Sequence, residues 1–373
     1  MTKLEQLIKE LCPNGVEYKK LSDIVTVARG VRVVRDQLAE TGDIPVYQNS
    51  IKPLGYHDKS NVKAYSAFVI GAGAAGEIGF SDVDFWAADD CYYFVCPETL
   101  DNRYLYFVLM KNQPFLVSKV RKASIPRLAR SFVENLVIPV PPLEVQAEIV
   151  KILDNFTELT AELTAELTAE LTARKKQYEY YRDLLLDFGA HRGRTSECEW
   201  RTLENVCIIS RGDYITKKSV TEGNIPVILG GQEPAYYCDR SNHNGEAVVI
   251  SRSGAYAGFV SYWNEPIFVT DGFAYEGKEC LKTRYLYFVL KNMQDRLHKM
   301  KKGGGVPHVQ GKELEKIKIP VPSMSEQERI VGLLDRFDKL CNDISEGLPA
   351  EIEARRKQYE YYRDKLLNFK EVK

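Results

Sequence analysis

The sequence repeats itself once, with a constant offset of 181 residues. The clearest pairs are RYLYFVL from Arg103 and Arg284, IPVP from Ile138 and Ile319, a stretch from Gln146 and Gln327, and KQYEYYRD from Lys176 and Lys357. Because every pair keeps the same offset, half of the 373-residue chain is one unit that is present twice. We therefore expect two similar bodies related by an internal pseudo-twofold repeat.

The similarity between the two copies is uneven. It is near identity in the last quarter of the unit and weak in the first three quarters, where Ile44-Pro-Val matches Ile225-Pro-Val and Arg29-Gly matches Arg211-Gly. This contrast indicates a shared scaffold that carries two diverged recognition surfaces. The alternative is neutral drift of surface loops after a duplication.

The diverged part of each copy combines strand and helix signals. Apolar β-prone runs start at Ser66, Cys91, Ala247 and Pro266, and Gly, Pro, Asn and Asp clusters bound them. One helix is predicted from Asn102 to Met110 and beyond, and its counterpart from Thr283 to Lys291. The prolines that follow Ile138 should end regular structure, since proline lacks an N–H and fixes φ. We predict an α+β fold with two similar mixed α/β domains, at residues 1–145 and 191–326.

The conserved parts, residues 146–190 and 327–373, are predicted to be helical. Apolar residues step by three and four at Ile149, Ile152, Phe156, Leu159 and Leu163, and again at Tyr178, Tyr181, Leu185 and Phe188; the second copy keeps this rhythm. Such seams predict two long helical regions that separate the domains and pack as an antiparallel coiled coil. Alternatively, each helix packs on its own domain. The Gly347-Leu-Pro349 stretch should kink or break the second helix.

Three consecutive Thr-Ala-Glu-Leu copies begin at Thr160, Thr164 and Thr168. Since Ala, Glu and Leu are strong helix formers, this stretch should be continuous helix. Each copy adds about 6 Å of rise and about 40° of rotation beyond a full turn. The repeat can therefore act as a ruler that sets the separation and angle of two domains, or it is merely a solvated low-complexity helix.

Composition excludes several classes of protein. The eight cysteines form no CxxC pair and the five histidines are not spaced as ligands, so we expect reduced thiols and no metal site. The longest apolar run, Tyr104 to Met110, is too short for a membrane helix, and the first ten residues are too acidic for a signal peptide. We predict a cytoplasmic protein without a membrane partner.

No motif predicts catalysis. Gly71 to Gly76 fits a dinucleotide-binding pattern, but the residues after it do not open a helix, so a tight turn between strands is expected instead. The stretch from Gly305 to Glu313 resembles a phosphate loop with the wrong spacing. A nucleotide-dependent enzyme that uses the Gly71–Gly76 loop stays a lesser alternative.

Basic residues cluster at matching places of the two diverged parts. The net charge of −1 neither demands nor excludes a polyanionic partner, but paired basic patches suit DNA phosphates, and arginine can read guanine edges. The alternative is that these basic runs are simply solvent-exposed surfaces without a partner. The candidate DNA-binding residues are Arg29, Arg32, Arg35, Lys119, Arg121, Lys122, Arg127 and Arg130 in the first copy, and Arg211, Lys217, Lys218, Arg252, Lys299, Lys301, Lys302 and His308 in the second.

The helical motifs resemble one known family. The stretches from Pro139 to Val150 and from Pro320 to Val331, together with the two KQYEYYRD segments, are similar to the DNA-specificity subunit of type I restriction-modification systems. The Thr-Ala-Glu-Leu copies point to the subfamily with such repeats in its central spacer. The resemblance covers nearly the whole chain, although the diverged domains match only in outline.

This resemblance implies a function. Each mixed α/β domain would be a target-recognition domain that reads one half of a bipartite, gapped sequence in double-stranded DNA. The helices would dock two methyltransferase subunits, and restriction subunits with translocase and nuclease activity would join them. S-adenosylmethionine, ATP and Mg would be bound by these partners and no cofactor by this chain, which would be non-catalytic. A bilobal protein-binding adaptor is the competing interpretation. The candidate spacer and docking residues are Leu163, Leu167, Leu171, Tyr178, Tyr181, Tyr359 and Tyr362.

Overall fold

A computed structural model describes residues 2–189, 198–230, 233–303, 305–342 and 347–372. The chain forms two compact units, of which unit 1 comprises Met1–Glu166 and Ile352–Lys373 and unit 2 comprises Leu167–Glu351. The division falls inside the second Thr-Ala-Glu-Leu copy. The predicted boundary between residues 190 and 191 lies outside the described residues.

The first half of the chain contains small strands, a central helix and one very long helix. Its elements are α1 Lys3–Leu11, β1 Tyr18–Lys20, α2 Leu21–Ile24, β2 Thr26–Arg29, β3 Ile44–Tyr47, β4 Gly55–His57, β5 Ser66–Ile70, β6 Ile78–Ser81, β7 Trp86–Ala87, β8 Cys91–Val95, α3 Asn102–Ser118, α4 Arg130–Glu134, β9 Val137–Pro139 and α5 Leu143–Leu186.

The second half repeats this order from β1 onward, with two helices in place of each of α3 and α5. Its elements are β10 Glu199–Thr202, α6 Leu203–Val206, β11 Cys207–Arg211, β12 Ile225–Ile228, β13 Tyr236–Cys238, β14 Ala247–Ser251, β15 Val260–Trp263, β16 Phe268–Val269, β17 Gly272–Gly277, α7 Thr283–Asn292, α8 Gln294–Lys299, α9 Gly311–Glu315, β18 Lys318–Val321, α10 Met324–Asn342 and α11 Leu348–Leu366.

The sheets have the same topology in both units. In unit 1, an antiparallel sheet has the order β2–β8–β5–β6 and a smaller sheet has the order β4–β3–β7; in unit 2, the orders are β11–β17–β14–β15 and β13–β12–β16. The central helix of each domain, α3 or α7, packs on the larger sheet. Its buried face supplies Tyr104 and Phe107 in unit 1 and Tyr285 and Phe288 in unit 2, each with no exposed surface. The repeated RYLYFVL stretch is therefore the core of each domain, and the predicted α+β fold is confirmed.

Most predicted elements are found at their expected positions. Strands β5, β8 and β14 coincide with the predicted runs, whereas the run from Pro266 keeps only the two residues of β16. The prediction that prolines end regular structure was wrong in detail, because Pro139 lies in β9 and pairs with Tyr18, and Pro320 lies in β18 and pairs with Trp200. Both are two-stranded ladders, in which an edge strand tolerates a residue without an N–H.

The Gly71–Gly76 segment is a tight turn between antiparallel strands β5 and β6. Gly73 has φ of +86° and Gly76 has φ of +90°, a left-handed conformation that favours glycine. A strand follows this turn where a dinucleotide site requires a helix, so the glycines are explained by the backbone conformation.

Helix α5 is continuous from Leu143 to Leu186 and includes all three Thr-Ala-Glu-Leu copies. The alanines and glutamates of these copies are exposed, while Leu163, Leu167 and Leu171 are half-buried. The second helical region consists of α10 and α11, and Pro349 lies in the first turn of α11. The continuity of the spacer helix agrees with the sequence prediction, and so does the start of α11 at Leu348, directly after Gly347.

The start of α5 packs on its own domain with a step of four rather than as a heptad. Val145, Ile149 and Leu153 are fully buried, but Leu159 of the predicted seam is 53% exposed. Helix α10 behaves similarly, with Ile330 buried in the core of unit 2. Residues four positions apart lie on the same face of a helix. In this part of α5 that face covers the domain, and the packing of one long helix on the other begins only beyond it.

Beyond this point the long helices pack on each other within each unit. In unit 1, Thr157 and Tyr359 share a hydrogen bond of 3.0 Å, and the rings of Phe156 and Tyr362 are 6.0 Å apart. The partner numbers fall as the α5 numbers rise, so α5 and α11 run antiparallel. In unit 2, Phe337 of α10 contacts α5 through the rings of two tyrosines, at 6.4 and 6.0 Å.

The same ion pair joins each domain to its long helix. Arg103 of α3 lies 2.7 Å from Asp154 of α5, and Arg284 of α7 lies 2.7 Å from Asp335 of α10. Each guanidinium also lies 4.4 Å from the centre of an aromatic ring on the sheet, that of Phe80 or Tyr262. Both copies therefore retain these main contacts despite their divergence, although Arg284 also lies 3.7 Å from Asp338, whose counterpart in unit 1 is Thr157.

A buried glutamine completes each junction. The Gln146 side chain donates to the Pro141 carbonyl at 2.7 Å and accepts from the Asp101 N–H at 2.8 Å. Gln327 donates to Pro322 at 2.9 Å and accepts from the Lys282 N–H at 2.8 Å. Because a buried amide without partners is costly, these bonds fix how each helix leaves its domain.

Candidate nucleic-acid interface

A cleft of about 420 Å³ in unit 1 collects four of the predicted DNA-binding residues. It lies between the Gly71 turn, the ends of β2 and β8, and the segment from Lys119 to Leu128, which we call the first finger. The lining includes Arg29, Asp89, Asp90, Tyr92, Lys119, Arg121 and Arg127. A cationic cleft of this kind suits a phosphate backbone, and its carboxylates could accept hydrogen bonds from base amino groups.

The first finger is held by main-chain hydrogen bonds. The N–H of Arg121 donates to the carbonyl of Arg127 at 2.8 Å, and the reverse bond is 3.2 Å long. At its base, the Leu128 N–H donates to the Gly71 carbonyl at 2.8 Å, and the buried Leu128 side chain anchors this end in the core. These bonds hold Arg127 in register beside the glycine turn.

Arg29 and Tyr92 form the floor of the cleft. The Arg29 Nε–H donates to the Asp89 carbonyl at 2.6 Å, and the Tyr92 hydroxyl donates to the Leu128 carbonyl at 3.1 Å. Burial raises the pKa of Tyr92, and this outweighs the opposite effect of nearby Arg29 and Arg127. The phenol therefore stays neutral and keeps donating to the finger at physiological pH.

Unit 2 repeats this construction with a second finger, whose described residues are 301–303 and 305–309. The N–H of Lys302 donates to the carbonyl of His308 and the reverse bond is also present, both at 2.9 Å. The Val309 N–H donates to the Arg252 carbonyl at 2.9 Å. His308 is bridged to Ser253 as Arg127 is to Ala72, so Arg127 and His308 occupy equivalent positions.

The side chains at this equivalent site differ in charge pairing. In unit 2, Asp271 lies 3.9 Å from Arg252 and accepts a hydrogen bond from Ser253. Lys302 forms an ion pair with Glu313, and the Lys301 ammonium donates to a main-chain carbonyl at 2.8 Å. The same backbone frame thus presents different donors and acceptors in the two units.

The remaining candidates are not gathered in the cleft. Arg32 and Lys122 are exposed outside its lining, and Arg130 pairs with Glu134 at 2.9 Å. The side chain of Arg35 lies outside the described part of the structure. In unit 2, Arg211, Lys218 and Lys299 are exposed, and Lys217 lines a separate cleft beside Tyr236 and Tyr237.

Sequence reasoning missed several residues of this surface. The carboxylates Asp89 and Asp90 line the cleft, although only basic residues were selected from the sequence. The finger tips carry Ile125 and Val306, which are 54% and 66% exposed. Both residues precede a proline and are 181 positions apart, which is the offset of the repeat. This correspondence was a signal in the sequence that could have identified them.

The predicted docking tyrosines contribute largely to the helix packing itself. Tyr178 is half-buried against Phe337, and Tyr359 is half-buried at Thr157. Tyr181 and Tyr362 are 40% and 41% exposed. The neighbouring Tyr180 and Tyr361, which were not selected, are more exposed, at 64% and 61%. Whether any of these residues binds a partner stays a prediction.

Two further features are absent from the described ranges. No group of three or more His, Cys, Asp or Glu side chains there is arranged to hold a metal ion. Nor does any helix in those ranges combine the length and apolar character needed to span a membrane.

Comparison with known proteins identifies the family. Residues 13–173 and 195–354 each match the family described as Type I restriction modification DNA specificity domain. A putative type I restriction enzyme specificity subunit of Haemophilus influenzae, S.HindORF215P, is 35% identical over 99% of this chain and 98% of its own length. The EcoR124I/EcoR124II specificity subunit of Escherichia coli is 38% identical over 62% of this chain and 61% of its own.

The fold also matches solved structures. A chain from a structural study of assembly and conformational transition in the type I R-M system superposes with a TM-score of 0.69 at 18% identity, and the match covers 96% of this chain and 98% of that one. The repeated domains, their helices and the two family matches agree, and the chain belongs to the type I restriction-modification DNA specificity family.

Proposed function

We propose that this chain is the sequence-specific DNA-binding specificity subunit of a type I restriction-modification complex. Each domain reads one half of a bipartite, gapped target in double-stranded DNA. The observation that carries the proposal is the pair of equivalent finger-and-turn surfaces, in which Arg127 and His308 occupy one backbone position. Two such surfaces with different side chains are suited to two different half-sites.

The long helices dock the partners in this proposal. Two methyltransferase subunits bind the repeated helical regions, and restriction subunits with translocase and nuclease activity join that core. The partners bind S-adenosylmethionine, ATP and Mg and carry out the chemistry, whereas this chain is non-catalytic and acts in the cytoplasm. Support comes from the family match and from the repeated KQYEYYRD segments, whose Tyr180 and Tyr361 expose equivalent aromatic surfaces.

A map of adenine methylation tests the proposal directly. Genomic DNA is compared between cells that express the partner methyltransferase with this chain and cells that express it alone. We expect a two-part motif with a fixed gap that appears only when the chain is present. If no methylation depends on the chain while the partner is active and assembled, the proposal is wrong.

A further inference from the structure

Each finger ends in a branched apolar side chain that the folded domain leaves uncovered. Ile125 of the first finger is 54% exposed and Val306 of the second is 66% exposed. The surrounding residues differ, since the first tip reads Lys122-Ala-Ser-Ile-Pro and the second reads Gly303-Gly-Gly-Val-Pro. What the two tips share is the apolar residue and the proline after it.

The backbone at the proline that follows each exposed side chain is constrained. A residue before proline is restricted to extended backbone, and a β-branched side chain has few rotamers. The carbonyl of Pro126 accepts from the Gly73 N–H at 3.1 Å, and that of Pro307 accepts from the Gly254 N–H at 2.9 Å. Little conformational entropy is therefore lost when such a tip enters a binding site.

Basic side chains border each tip. Arg121 and Arg127 close the first finger, and Lys302 and His308 close the second. Arginine and lysine side chains bind phosphates, but an apolar side chain gains nothing from a phosphate. The apolar surfaces that duplex DNA offers are the thymine methyl group and the faces of the bases.

We propose that Ile125 and Val306 contact the apolar surface of a base in their respective half-sites. This inference rests on the proposed function and adds the side chains that reach the bases. The adjacent basic side chains contact the phosphates of the DNA while the tip enters a groove, where it covers a thymine methyl group or a base face exposed by partial unstacking. Both modes bury the same side chain against a base.

The test uses this chain assembled with its partner methyltransferase and a duplex that contains both mapped half-sites. Ile125→Ala removes three carbon atoms from the tip and should weaken specific binding about tenfold, with little change on unrelated DNA. Val306→Ala should weaken binding through the other half-site. Val83→Ala is the matched control, because Val83 is an exposed apolar residue, 45% exposed, in a turn of unit 1 and should leave binding unchanged.

Two DNA modifications then separate the modes of contact. Each half-site that is methylated on adenine contains a thymine on the opposite strand. Replacing this thymine by deoxyuridine removes its methyl group. A deoxyuridine penalty that is present with the wild-type chain and absent with Ile125→Ala supports methyl contact. A rise in 2-aminopurine fluorescence on binding that depends on Ile125 supports unstacking.

The remaining outcomes overturn the inference. If both tip variants bind as the wild type does, the tips do not touch the bases. If Ile125→Ala weakens specific and unrelated DNA equally, the tip supports backbone binding only and base contact is wrong. If the wild-type complex shows no sequence-specific binding at all, the proposed function fails together with this inference, and that result is distinct from the other two.

Discussion

The continuous spacer helix allows a quantitative prediction about the gap between half-sites. Deleting Thr164–Leu167, one Thr-Ala-Glu-Leu copy, removes about 6 Å of rise and about 40° of rotation. One base pair of B-DNA spans about 3.4 Å and about 35°. The deletion therefore corresponds to about one base pair by rotation and nearly two by translation, and we expect the gap to shorten by one or two base pairs while both half-sites stay the same.

Methylation mapping measures the gap and the half-sites in one experiment. The length-preserving control replaces Thr164 and Thr168 by alanine, which keeps the helix and should keep the gap. A second comparison deletes only Thr164 and Ala165, which removes about 3 Å but rotates the following helix by about 200°. This variant should lose methylation, since such a rotation displaces one recognition surface from the DNA face that the other reads.

Three results would refute this reasoning. The half-sites could change while the gap stays constant, which would place sequence reading in the spacer. The alanine replacements could alter the gap as much as the deletion does, which would make side chains rather than length decisive. The two-residue deletion could retain the original motif, which would mean that the helix does not transmit rotation.

Four further predictions follow from named contacts. Arg127→Ala should weaken binding or relax the half-site of the first domain only, as read by methylation mapping, and an unchanged motif with unchanged affinity would remove Arg127 from the interface. Arg103→Met and Arg284→Met should each lower the free energy of unfolding by about 1–2 kcal/mol, because each loses a partly exposed ion pair and a cation–π contact; a urea titration in which either variant is as stable as the wild type would contradict this. Burial raises the pKa of Cys207 to about 12, so iodoacetamide at pH 8 should modify it at least about 100-fold more slowly in the native chain than in urea, as followed by mass spectrometry. Burial also raises the pKa of Tyr262 from about 10 to about 12. The contribution of the neutral Tyr262 side chain to the free energy of unfolding is therefore complete below pH 10 and is lost between pH 10 and 12. Over that range the urea midpoint of Tyr262→Phe should fall less than that of the wild type.

Much of the fold could be predicted because the repeat separates core from surface. The RYLYFVL stretch is retained in both copies since Tyr104 and Phe107 are fully buried, and the strands at Ser66 and Cys91 were visible as apolar runs. The helix seam was harder to predict. Apolar spacing alone does not say that α5 first covers its domain and only then meets α11, so the exposure of Leu159 was not foreseen.

The candidate interface was predictable only in part. Charge and repeat position identified Arg29 and Arg127, which the fold brings to one cleft although 98 positions separate them in the sequence. The same criteria also selected Arg130, which pairs with Glu134. Pairing and burial are tertiary properties, so a list of basic residues cannot distinguish free from neutralised charges. The apolar tips were missed because a search for phosphate contacts considers only cations.

Unit 1 is built from segments at opposite ends of the sequence, and this affects how it is made. The N–H of Val16 donates to the carbonyl of Lys370 at 2.8 Å, and Leu367 is fully buried in the core of this unit. A ribosome needs roughly 10 to 40 s to synthesise the 205 residues from Leu167 through Glu371. During that interval the first domain lacks Leu367, one of its core residues, while all of unit 2 is being synthesised. Unit 1 can thus be completed only after unit 2 has been synthesised, and a translation product truncated before Leu367 would lack part of the apolar core of unit 1.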